Sequence, residues 1–177
     1  MRKLIGRLFG FHAELAELQE QIRELQWDRP FGMLTRGAFI QHCAVMPRGV
    51  RNIAFIDLDA INVLNDRYGY TEVDDRVRAT FSVPFRRSDI VARWYSGDEI
   101  VILFDSDRQG AERKLRELAE SASANGLSFQ VSQGEWEVGQ QAIEDAVAIL
   151  SKAMAGQKRR NKRRADRHRP SVGGAAT

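Results

Sequence analysis

Two apolar runs fix the centre of any fold this chain adopts, and each is bounded by acids. Ile53-Ala54-Phe55-Ile56 closes on Asp57-Leu58-Asp59, and Asp98-Glu99 opens Ile100-Val101-Ile102-Leu103-Phe104. Short runs rich in Ile, Val and Phe read as buried strands. Carboxylates at the ends of buried strands are costly unless a cation pairs with them. A divalent metal carrying a nucleotide phosphate is a common reason for such an arrangement. Singly, the acids have plainer readings: Asp57 and Asp59 as loop caps, Asp98-Glu99 as a solvated hairpin tip.

Other strands and helices follow from periodicity and punctuation. Ile90 to Tyr95 and Ile100 to Phe104 flank Ser96-Gly97-Asp98 and read as a β-hairpin. A short helix with Ile61 and Leu64 breaks at Tyr68-Gly69-Tyr70, and Val73, Val77 and Phe81 share the next helical face. Ala111, Leu115, Leu118 and Ala122 form another stripe, and Gly126 suits its C-terminal end. Leu127, Phe129 and Val131 alternate as a fourth strand, and Ile143, Ala146, Val147, Leu150 and Met154 form the last helical stripe. A hairpin plus crossovers points to an α+β fold, with helices packed on a mostly antiparallel sheet.

The N-terminal segment has its own period. Leu4, Leu8, Phe11, Leu15, Leu18, Ile22 and Leu25 are spaced alternately four and three apart, a heptad seam. Two readings stay open: a coiled-coil homodimer through residues 4–25, or one amphipathic helix lying on its own domain. The narrow seam and charged opposite face favour the dimer. Asp28-Arg29-Pro30 stops this helix. The chain therefore divides into a helix over 1–27, a domain over 28–156 and a basic disordered tail over 157–177.

The formal net charge of +3 conceals an asymmetry. Residues 157–170 hold eight Lys/Arg against one Asp, so the remainder of the chain is acidic. The tail suits weak contact with nucleic acid or an anionic membrane, or simple solvation. The lone Cys43 excludes an internal disulfide and a cysteine zinc site, and His12, His42 and His168 are scattered. With no apolar stretch of spanning length and a poor signal-peptide start, a cytoplasmic location is expected.

The motifs taken in order resemble the GGDEF domain, the diguanylate cyclase family. FIDLDAINVLNDRYGY is similar to "(F/I)DLDxFKxxNDxxGHxxGD" through Asp57, Leu58, Asp59, Asn65, Asp66, Gly69 and Asp74. VARWYSGDEIVILF is similar to "RxGGDEF", with SGDEI at the signature. DRPFGMLTRGAF resembles "DxLTGLxNRRxF" through Asp28, Gly32, Arg36 and Phe39, and Glu144-Asp145 to Lys152 resembles "ADxALYxAK". The resemblance covers residues 28 to about 159. Departures are Ser96 for Gly, one extra residue in Trp94-Tyr95, Ile61-Asn62 for Phe-Lys, Tyr70 for His, Val73 for Gly and Ile100 for Phe.

The resemblance implies a palm-like (ferredoxin-like) fold of nucleotidyl cyclases and polymerases. It implies a dimer that joins two GTP into cyclic di-GMP with Mg²⁺ or Mn²⁺. By position, Asp57, Asp98 and the Leu58 carbonyl would hold metal, and Glu99 would stabilise metal or transition-state charge. Asn65 and Asp74 would bind the guanine edge. Ser96, Gly97, Lys152 and Lys158 would meet phosphate. Arg86-Arg87-Ser88-Asp89 fits the RxxD product-inhibitory motif through Arg86 and Asp89. The alternative is a silent module that binds cyclic di-GMP or GTP without turnover.

Overall fold

Residues 14–15, 17–95 and 97–167 are described by the computed structural model, with side chains described as far as residue 160. Leu4, Leu8 and Phe11 of the heptad seam, Ser96 of the signature and residues 168–177 lie outside the described residues.

The two acid-bounded runs are central strands. In chain order the strands are β1 (Trp27–Asp28), β2 (Met33–Thr35), β3 (Gly49–Leu58), β4 (Ile90–Arg93), β5 (Glu99–Phe104) and β6 (Phe129–Val138). They form one sheet in the order β1-β2-β4-β5-β3-β6, antiparallel except where β2 runs parallel to β4. β3 and β5 are paired on both sides and covered on both faces, which is why their apolar runs are continuous rather than alternating.

The helices are α1 (helical over 17–26), α2 (Arg36–Ala44), α3 (Ile61–Tyr68), α4 (Tyr70–Thr80), α5 (Arg108–Ala124) and α6 (Ile143–Arg167). The period of two along β3 divides the core. Ala54, Ile56 and Leu58 face α4 and α5, meeting Val73, Val77, Leu115 and Leu118. Ile53 and Phe55 belong to the opposite face, with Phe39 and Cys43 of α2 and with Ile143, Val147 and Met154 of α6. Burying a large aliphatic or aromatic side chain contributes about 1.5–3 kcal/mol, so these stripes hold the helices in place.

Gly69 adopts φ +83 and separates α3 from α4, a conformation that glycine takes without penalty. Leu15, Leu18, Ile22 and Leu25 on the N-terminal helical segment are all exposed. Among the described residues no helix is long and apolar enough to cross a membrane.

The structure departs from the sequence reading at three places. β1 and β2 flank the turn at Asp28-Arg29-Pro30, which stops the N-terminal helix by starting a hairpin, with the Gly32 amide donating to the Asp28 carbonyl at 2.8 Å. β6 is longer than its apolar start and pairs with β3 from Leu58↔Phe129 to Gly49↔Val138. Helix α6 continues through Arg167, past Gln157 where a disordered tail was expected. Gln, Lys and Arg are good helix formers, and no proline stands between Ile143 and Pro170, so charge alone does not end the helix.

Candidate functional site

The ends of β3 and β5 bring the two acid clusters together. Asp57 and Glu99 are register partners on the last rung of this pair, and the Leu58 amide donates to the Asp98 carbonyl at 2.9 Å. Leu58 is buried, whereas Asp57, Asp98 and Glu99 are half-buried where the sheet opens. Burial pushes the Glu99 carboxyl pKa up; Asp57 and Asp98 push it further, and Lys158 partly offsets them. Lys158, on α6, donates its Nζ to Asp57 Oδ1 at 2.8 Å. Lys152 lies exposed on the same helix and makes no ion pair or hydrogen bond among the described residues.

Asp59 has a different task. Its Oδ2 accepts from Ser128 Oγ at 3.0 Å and its Oδ1 from Gln130 Nε2 at 3.1 Å, while its amide donates to the Ser128 carbonyl at 2.8 Å. Both oxygens are engaged, so Asp59 clamps the end of β3 to the start of β6. Ala60 follows at φ 56, the one non-glycine with positive φ among the described residues. That turn sends the chain directly from the acids into α3.

Asn65 and Asp74 stand half-buried on α3 and α4, a packed helical pair. The Asn65 Oδ1 is buried without a hydrogen-bond partner in the protein, an acceptor that lacks a donor. Burial pushes the Asp74 pKa up; Arg93 and Arg78 lower it, and Asp28 and Asp75 raise it.

Arg93 organises the signature turn, a role that sequence reading missed. Its Nη1 meets Asp28 Oδ2 at 3.2 Å, its Nε donates to the Gly97 carbonyl at 3.0 Å, and its guanidinium stacks 3.9 Å from the Phe31 ring centroid. The available signal was an arginine closing a buried strand just before an acidic turn; Asp28, distant in sequence, was not readable as its partner. The extra residue falls in the loop between the paired strands. Arg93 pairs with Ile100 and the Trp94 amide donates to the Glu99 carbonyl at 2.8 Å, which leaves Tyr95 to Asp98 for the turn. The Arg36 guanidinium lies 4.8 Å from the Trp94 ring centroid and 5.1 Å from that of Tyr95.

Arg86 and Asp89 lie together in the loop before β4, where they brace the loop itself. Asp89 Oδ2 accepts from the Arg86 amide at 3.0 Å and its Oδ1 from the Asp105 amide at 2.8 Å, while Arg86 Nη1 donates to the Asp105 carbonyl at 2.9 Å. A cavity of about 640 Å³ opens beside this loop, lined by Phe81, Phe85, Arg87, Asp89 and Arg51 among others.

Among the described residues no three His, Cys, Asp or Glu side chains converge into a ready-made metal cage. Magnesium does not require one. It keeps several waters and takes one or two carboxylates together with substrate phosphates. A half-buried acid cluster that already draws a lysine ammonium onto Asp57 suits that donor set.

The chain belongs to the GGDEF family: the profile described as "Diguanylate cyclase, GGDEF domain" matches residues 43–164. No curated protein sequence matches the chain. Similar solved structures include the coiled coil and GGDEF domain of DgcB from Caulobacter crescentus in complex with c-di-GMP. It is 19% identical with a TM-score of 0.68, over 88% of this chain and 94% of that one. The diguanylate cyclase SiaD from Pseudomonas aeruginosa, in complex with its activator SiaC, is 20% identical with a TM-score of 0.60, over 89% and 70%. The S helix-GGDEF-EAL portion of Vibrio cholerae LapD is 17% identical with a TM-score of 0.69, over 84% and 38%. At these identities the likeness is one of fold.

Proposed function

We propose that the chain is a diguanylate cyclase that condenses two GTP into cyclic di-GMP. The observation that carries this reading is the meeting of Asp57, Asp98 and Glu99 at the ends of β3 and β5, with Lys158 drawn onto Asp57. In each half-reaction a ribose 3′-hydroxyl oxygen attacks the α-phosphorus of the other GTP. The bond to the β-phosphate breaks and pyrophosphate leaves.

Asp57, Asp98 and the Leu58 carbonyl would hold Mg²⁺ or Mn²⁺, which supplies charge neutralisation on the phosphates and lowers the hydroxyl pKa. Glu99 adds negative charge beside those ligands. The unpartnered Asn65 Oδ1 and the Asp74 carboxylate are acceptors that suit the N1–H and amino donors of guanine, a pair adenine lacks. Lys158, from its place on Asp57, and Lys152 on the same helix would meet the phosphates. Gly97 and Ser96 would meet the phosphates.

The reaction needs two copies. The exposed Leu15, Leu18, Ile22 and Leu25, at heptad spacing, support a homodimer through residues 4–25. Cyclic di-GMP would act as product and, beside Arg86 and Asp89, as inhibitor. The cavity next to that loop favours a second reading, a silent module that binds cyclic di-GMP. For that ligand, Arg86 and Asp89 must exchange their present hydrogen bonds for new ones.

Mass spectrometry after incubation with GTP and Mg²⁺ or Mn²⁺ tests the reading. Cyclic di-GMP is expected from wild type, with a loss of about 100-fold or more in Asp98→Ala. Product formation that survives this substitution would sink the mechanism. Binding of cyclic di-GMP with no turnover would establish the silent module instead.

A further inference from the structure

Helix α6 has two parts of different chemistry. Up to Met154 it carries the buried stripe that packs on the sheet. Beyond it, residues 157–167 (QKRRNKRRADR) contain seven Lys/Arg, one Asp and no aliphatic side chain larger than Ala165. Gln157, Arg159 and Arg160 are exposed. The helical backbone persists through Arg167, so this basic segment is a rod of roughly 15 Å, not a loose run of charge.

Such a rod repels itself. Arg159 and Arg163, and Arg160 and Arg164, each stand four residues apart, a spacing at which like charges destabilise an isolated helix. Asp166 is the one acid within it. An external polyanion relieves this repulsion.

The residue types choose among polyanions. A membrane-surface helix needs an apolar face to enter the lipid boundary, and this segment has none. Arginines outnumber lysines five to two, and the guanidinium fork matches phosphate oxygens bidentately. An α-helix fits the DNA major groove, about 12 Å wide, whereas the RNA major groove is too narrow to be entered. Positions 160, 163, 164 and 167 fall on one helical face, a stripe that can follow a phosphate backbone.

We propose that residues 159–167 of α6 form an interface for double-stranded DNA that grips the phosphate backbone without reading sequence. This interface is independent of whether the acid cluster turns over GTP.

Fluorescence anisotropy of the full chain with a labelled duplex of arbitrary sequence, across a salt series, tests it. Binding is expected at low salt, with log K falling against log salt at a slope of about −4.5 to −5.5, as for about five or six neutralised phosphates. A second duplex of unrelated sequence should bind within about twofold. The triple charge reversal Arg160→Glu, Arg163→Glu and Arg164→Glu should weaken binding at least tenfold. The matching arginine-to-lysine triple, which keeps both charge and helix, should retain most of it. Near-UV circular dichroism verifies that both variants are folded. The proposal is overturned by no binding to duplex at 50 mM salt, by a flat salt dependence, by wild-type affinity in the folded charge-reversed protein, or by tighter binding to phosphatidylserine vesicles than to DNA.

Discussion

Lys158 Nζ rests 2.8 Å from Asp57 Oδ1, so the acid proposed as a metal ligand already holds a cation of the chain's own. A metal arriving alone must displace that ammonium; a metal arriving with nucleotide offers it phosphate in exchange. Lys158→Ala should therefore separate two quantities. Mn²⁺ binding without nucleotide, read by electron paramagnetic resonance, should tighten. The KM for GTP should rise about tenfold, as expected on losing one charge-assisted hydrogen bond. Unchanged metal affinity would count against displacement.

Arg93 and Asp28 join the first hairpin to the signature turn through a pair that is 18% exposed on each side. Asp28→Asn leaves the guanidinium half-compensated and removes charge from the acceptor of the Phe31 amide. Urea unfolding should report a loss of about 1–3 kcal/mol. Activity should fall further than stability, because Arg93 also holds the Gly97 carbonyl.

Glu99 keeps its proton to a higher pH in the folded chain than in the unfolded one, through burial first and then Asp57 and Asp98. Its ionised form thus penalises folding. The penalty is absent below the ordinary glutamate value of 4.5, grows as pH rises through the raised value, and remains at neutral pH. Glu99→Gln should melt above wild type at pH 7, with the gap closing on acidification. A gap independent of pH would show that the gain comes from elsewhere.

Cys43 is buried, and burial, followed by the charge of Glu144, pushes its pKa from 9.0 to about 12. The unfolded thiol ionises first, so its contribution to stability falls as pH climbs from 9 toward 12, by up to about 1.4 kcal/mol per unit. Cys43→Ala should lack that slope. Iodoacetamide at pH 8 should label the native thiol only as fast as the protein opens.

Ala60 carries a side chain in the left-handed region at φ 56. Glycine there escapes about 1–2 kcal/mol of steric cost, partly cancelled by about 0.4–1 kcal/mol from a more flexible unfolded chain. Ala60→Gly should stabilise by about 0.5 kcal/mol in denaturant titrations. A β-branched residue at the same position should destabilise.

What was legible in the sequence was whatever a single element can state by itself. The apolar runs of β3 and β5 announce buried strands, and the stripes Ala111–Ala122 and Ile143–Met154 announce the faces of α5 and α6. Relations across distance were not legible. β1 and β2 are too short for any period to show, and β6 passes through Ser132-Gln133-Gly134 because its pairing with β3, not its composition, makes it a strand. In the site, the acids were readable by type, but the clamp of Ser128 and Gln130 on Asp59 and the stacking of Arg36 on Trp94 needed coordinates. RxxD was readable as a motif, yet its side chains brace a loop, a use that spacing does not reveal.

The reach from Asp57 to Lys158 spans 101 positions, and that span orders events during synthesis. Chains emerge N-terminus first, and domains generally fold as units once their parts are available. The acids of β3 and β5 leave the ribosome well before α6, and their lysine comes from the last helix of the domain. A nascent chain arrested before α6 therefore exposes an uncompensated patch of negative charge and the face of the sheet that α6 covers. The completed helix closes both at once, so the acid site is finished only when α6 is in place.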